Sequence, residues 1–137
     1  MSKKQISPDA YKQFTTFALA CKFLKKDPKK LPIVKGLEKD FAKDLVARYK
    51  LMTVIKAINK IMGFVPTFVT GNTQDKYSLW YWLKTDKTRP SGFGFGFAFT
   101  RYDLTHTAVG PRLVMGTSEQ CHFVFKHFRK ECEDMVL

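Results

Sequence analysis

The sequence predicts an α+β fold: N-terminal helices, a three-stranded antiparallel β-meander, and a C-terminal amphipathic helix packed on the sheet. Three observations carry this expectation. Apolar residues recur at a 3.6-residue period before residue 63 and again after residue 117, and at a two-residue period between about 76 and 101. Proline, glycine and asparagine gather between those stretches, where the chain must turn. The strand-like stretches follow one another through short connections, and strands joined in that way pair antiparallel. A chain of 137 residues is the length of one ordinary domain. The expected division is a basic helical half, about 1–63, and a sheet with the last helix, about 75–137.

Taken in order, Ser7-Pro8-Asp9 has the form of a helix start: a capping serine, proline at the first helical position, an acid in the first turn. Thr16 is a second candidate cap, which would start the helix later. Phe14, Phe17, Ala18, Cys21 and Leu24 follow at helical spacing, and Asp27-Pro28 and Leu31-Pro32 end the run. After Gly36, the positions Phe41, Leu45, Arg48/Tyr49, Met52, Ile55, Ile58/Asn59 and Met62 keep a helical period, as one long helix or two end to end. Gly63 stands where a C-terminal stop is expected, with Pro66 beyond it.

Gly71-Asn72 marks a loop, and "KYSLWYWLKT" reads as the first strand. Tyr77, Leu79, Tyr81 and Leu83 alternate with Ser78, Trp80 and Trp82, one set to each face. "DKTRPSG" is a turn of hairpin length, and "GFGFGFAFTR" (92–101) is the second strand. Its phenylalanines make one face; Gly92, Gly94, Gly96 and Ala98 make the other. An all-glycine face needs something large above it, which Trp80 and Trp82 on the neighbouring strand, or Phe125, could supply. "RLVM" (112–115) is the expected third strand. Thr117 and Gln120 form a capping-box pattern before a stripe of Cys121, Val124, Phe125, Phe128, Cys132 and Met135.

Charge narrows the function classes. The net charge is +12, and residues 1–60 hold 15 Lys/Arg against 5 Asp/Glu, whereas residues 61–137 hold 9 against 7. The helical half is the electropositive half, which suits an acidic partner such as nucleic acid. No run of about eighteen apolar residues offers a transmembrane helix, and the polar start "MSKKQISPDAYKQF" lacks an apolar signal core. The expected location is the cytoplasm, with no membrane partner. Three cysteines, an odd number, fit reduced thiols better than a disulfide framework.

Four segments resemble a family of small proteins encoded by phages and prophages of Bacteroidetes. "FALACKFL" is similar to the family's F-x-x-A-C-x-x-L helix, and "RYKLMTVIKAINKIMGFVPTF" to its H-Y-K-L-x-x-x-x-x-A-L-N-x-G-W-x-P-x-W segment. "KYSLWYWL" followed by "SGFGF" is similar to its Y-K-Y-Y-P-W-F and G-F-x-F strands. "VGPRLVMGTSEQCHFVFKHF" is similar to its V-G-S-R-L-C-F-K-S-x-E-L-A-x-Y-x-G-x-Q-F ending, in spacing as well, at Gly110, Arg112, Leu113, Glu119 and Phe128. The likeness runs from about Phe17 to Phe128. It implies a phage or mobile-element origin and carries no mechanism. The chain departs from the pattern at Pro111, where the family has serine, and at Phe125, where it has a helical glycine. The Pro-Trp of the first strand is missing.

The candidate binding residues are of two kinds. Lys22, Lys25, Lys26, Lys29, Lys30, Lys35, Lys39 and Lys43 follow a helix end, a proline-broken loop and the next helix start, and lysines so placed can track a phosphate backbone as point charges. Trp80, Tyr81 and Trp82 are candidates to stack on bases, with Arg89, Arg101 and Arg112 near the strand ends for phosphates. "GFGFGF" lacks the G-x-x-x-x-G-K-S/T lysine of a phosphate loop and does not lie between a strand and a helix. Cys121 and Cys132 would stand roughly 16 Å apart along one helix, too far to share a metal ion, so they read as core residues. No metal, cofactor or catalytic site is expected. The expected function is a phage-encoded, non-enzymatic protein binding nucleic acid non-specifically through phosphate-backbone contacts, single strands among them. The alternatives are a phage accessory protein that binds and inhibits a host or defence protein, and a minor virion component.

Overall fold

The computed structural model describes residues 6–68, 74–85, 88, 93–103 and 111–136, with backbone alone for 80–85, 93–103, 111 and 136. Ser7 opens a 3-10 turn, Ala10–Gln13, and not the first α-helix: its Oγ accepts from the Asp9 N–H at 3.3 Å and its carbonyl from the Ala10 N–H at 3.1 Å. Helix α1, Phe17–Phe23, begins at the later candidate cap, where Thr16 Oγ1 accepts from the Leu19 N–H at 3.2 Å. It ends in a Schellman closure: Lys26 N–H donates to the Cys21 carbonyl at 2.8 Å and Lys25 N–H to that of Lys22 at 3.2 Å. The left-handed position in that closure, φ +58°, is held by Lys25 where glycine is usual.

Helix α2, Lys39–Met62, is one continuous helix of 24 residues, about 36 Å long. Gly63 closes it at φ +67°, with Phe64 N–H donating to the Asn59 carbonyl at 2.8 Å. Its second half is the spine of the core. Leu51, Val54, Ile55, Ala57 and Ile58 are buried there with Tyr11, Phe14, Met115, Val124 and Phe128. The first half differs from the periodicity's expectation: Phe41 and Leu45, read as core-facing, are 64% and 40% exposed.

The predicted three-stranded meander does not form. Among the described residues helix predominates, and the sheet has two antiparallel strands, β1 (Lys76–Thr85) and β2 (Phe93–Asp103). The segment expected as a third strand makes a 3-10 turn, Pro111–Leu113, and then one isolated bridge, in which Tyr77 and Met115 exchange hydrogen bonds of 2.9 and 2.8 Å. The reason is where its backbone groups go. Pro111 has no N–H to give a ladder, and the Val114 carbonyl is taken by Asn59 Nδ2 of α2 at 3.0 Å. The turns expected around Gly71-Asn72 and in 89–92 lie outside the described residues.

Between β1 and β2 the register shifts at Trp80/Tyr81, where Ala98 is left without a partner. Trp82 therefore stands opposite Gly96 as expected, but Trp80 stands opposite Phe99 and Lys84 opposite Gly94. The two tryptophans do not both face glycines.

The C-terminal stripe is also interrupted. It forms α3 (Ser118–His127) and α4 (Arg129–Val136), broken at Phe128, whose buried ring sits at φ −126°, ψ 34°. Thr117 Oγ1 caps α3, accepting from the Gln120 N–H at 3.2 Å. The other half of the capping box is missing: Gln120 is buried and its Oε1 has no hydrogen-bond partner among the described residues. Helix α3 packs on the hairpin, whereas α4 packs on α2, so only the first part of the expected helix covers the sheet. Cys21, Cys121 and Cys132 are all buried.

Candidate nucleic-acid interface

The Schellman closure of α1 delivers Lys26 against one face of α2. The α2 residues there are Tyr49, Met52, Thr53, Lys56, Asn59 and Lys60. After Gly63 the chain turns back, so Phe64, Val65 and Pro66 form a second wall, and Arg112 from the last 3-10 turn completes the rim. The result is a cleft of about 590 Å³ with an apolar floor and four cations, Lys26, Lys56, Lys60 and Arg112; among the described residues no Asp or Glu lines it.

Two of these cations lie against aromatic rings. The Lys26 ammonium lies 5.1 Å from the centroid of Tyr49, and the Lys60 ammonium 5.8 Å from that of Phe23. Tyr49 is itself braced edge-on by Phe17 at 6.3 Å. Thr53 donates its hydroxyl to the Tyr49 carbonyl at 2.9 Å, and Asn59 Nδ2 ties α2 to Val114, while the buried Asn59 Oδ1 has no hydrogen-bond partner among the described residues. A cleft so built offers positive charge at its edge and a flat apolar surface beneath, a combination that suits an anion carrying an aromatic body.

Of the residues expected from the sequence, the structure brings Lys26 and Arg112 together. Lys22 lies exposed on α1, Lys25 at its left-handed end, Lys29, Lys30 and Lys35 exposed in the connection to α2, and Lys39 in the first turn of α2. They do not line the cleft. Lys43 is committed elsewhere, 3.3 Å from Asp134 of α4. Arg112 sits on a 3-10 turn and not at a strand end. Arg101 stands opposite Ser78 in the hairpin, and Trp80, Tyr81 and Trp82 are in β1, their side chains outside the description; Arg89 lies outside the described residues. Tyr49, Lys56, Lys60 and Phe64 were not anticipated. The signal was present in the spacing: Lys56 and Lys60 are one turn apart, on the same face as Tyr49 and Met52.

Two of the thiols, Cys21 and Cys121, are held protonated. Burial raises Cys21, and burial with the nearby Glu119 pushes Cys121 up to about 12. Among the described residues no group of three or more His, Cys, Asp or Glu is placed to hold a metal ion, and no helix is long and apolar enough to cross a membrane. No protein-family model, curated protein or solved structure matches the chain.

Proposed function

We propose that this is a non-enzymatic nucleic-acid-binding protein that holds its ligand through the phosphate backbone at the α2 cleft, in the cytoplasm of a bacterial host. The observation that carries the reading is the gathering of Lys26, Lys56, Lys60 and Arg112 around one apolar cleft with no acid among its lining residues. Three of the four are lysines, which act as point charges and suit contact without base reading. The exposed lysines of the α1–α2 connection add long-range attraction to a polyanion. The sequence resemblance adds a phage or prophage origin to the proposal.

Counterion release supplies the test. Four phosphate contacts should give a slope of log K against log salt of roughly −3 to −4, at about 0.7 to 0.9 per contact. Replacing both Lys56→Glu and Lys60→Glu should lower affinity for a labelled oligonucleotide by at least tenfold and flatten that slope by about two contacts. Wild-type affinity in the double variant would remove the cleft from the binding site. Failure of single- and double-stranded DNA and RNA alike to bind at low salt would remove the function.

A further inference from the structure

The cleft does not end at Tyr49. On a helix that turns 3.6 residues per turn, Phe41, Leu45, Tyr49, Met52, Lys56 and Lys60 fall within about 100° of arc, so one face of α2 runs about 28 Å from the exposed end to the cations. Phe41 and Leu45 are large apolar side chains left open on that face, while Tyr49, Met52, Lys56 and Lys60 line the cleft. Three carboxylates flank the open end, Glu38, Asp40 and Asp44, and Asp44 is paired with Arg48 at 3.4 Å.

We propose that this face is a track for an unpaired nucleic-acid strand, with phosphates at Lys26, Lys56, Lys60 and Arg112 and bases laid against Tyr49, Leu45 and Phe41. The proposal rests on the nucleic-acid reading of the cleft and adds strandedness to it. A duplex keeps its bases stacked inside and offers mainly phosphates, so it gains nothing from an apolar floor. A single strand has free base faces, and stacking or apolar contact with them is tolerant of sequence. The charge distribution favours this occupant over a lipid surface: four cations are collected in a cleft at one end of the stripe, where a phosphate chain can enter, and carboxylates stand beside its apolar end, where a flat anionic surface would be repelled.

The experiment compares fluorescein-labelled oligothymidylate with a hairpin duplex of equal phosphate number, by anisotropy on the full chain. The single strand should bind at least tenfold more tightly at the same salt. The double variant Phe41→Ala with Leu45→Ala should lose at least fivefold on the single strand and nothing on the duplex. Both positions are exposed, so an unchanged melting temperature is expected and is measured alongside. Equal affinity for the two ligands, or no loss in the apolar variant, overturns the track; if binding is then still abolished by Lys56→Glu with Lys60→Glu, the nucleic-acid reading survives without it. Unchanged oligonucleotide affinity in the apolar variant, together with lost self-association or lost binding to phosphatidylserine vesicles, assigns the stripe to a protein or membrane contact and likewise overturns the proposal.

Discussion

The two halves of α2 carry apolar residues at the same helical spacing and meet opposite fates. From Ala47 to Ile58 an apolar face about 120° round the helix from that of Phe41 and Leu45 is sealed by Tyr11, Phe14, Met115, Val124 and Phe128. From Lys39 to Val46 Lys43 pairs with Asp134 of α4, and Phe41 and Leu45 are left exposed. Periodicity therefore states which side chains share a face. Whether that face is covered depends on what else in the chain reaches it.

That contrast can be broken most sharply by shortening one leucine in each half. Leu51→Ala, in the sealed half, should cost about 2–5 kcal/mol in urea denaturation; Leu45→Ala, in the open half, should stay within about 0.5 kcal/mol. Similar losses at both sites would mean that the open half is covered in solution. A smaller effect is expected where the sealed half is tied to the last 3-10 turn. Asn59→Ala leaves the buried Val114 carbonyl without its donor and should cost about 1–3 kcal/mol. A neutral result would mean that water or another donor serves that carbonyl. The smallest effect falls at the boundary between the halves, where Lys25 holds a left-handed backbone so that Lys26 can lie over Tyr49. Lys25→Gly relieves that conformation and should stabilise the fold by about 0.5–1 kcal/mol, less the extra freedom glycine gains in the unfolded chain. A loss of stability would show that the Lys25 side chain makes a contact worth more than the strain. Together with the salt dependence of the cleft variants, these measurements separate the residues that hold the fold from those left over for a ligand.

Much of the local structure was legible in advance, for a local reason. Thr16 and Thr117 cap because a hydroxyl can reach an N–H three residues on, and Gly63 closes α2 because a left-handed residue costs glycine little. Gln120's half of the capping box fails for a tertiary reason: Gln120 is buried against the core, and its Oε1 does not accept from the helix start. The site was half legible. Lys26 and Arg112 were named as cations, but their meeting required α1's closure and the fold of the last 3-10 turn. Lys56 and Lys60 were passed over because they sit inside a helix whose apolar stripe was read as core throughout.

By itself the sequence determined the helix starts at Thr16 and Thr117 and the stop at Gly63, and that the helical half carries the charge, since these depend on neighbours within a few positions or on composition alone. Tertiary structure alone decided that Val114 bonds to Asn59 and not to a third strand, that the C-terminal stripe breaks at Phe128 so that α3 can cover the hairpin and α4 the long helix, and that four cations from three parts of the chain surround one cleft. Each of these turns on a competition between partners distant in sequence, and the winner is set by which surfaces the whole chain can bury at once.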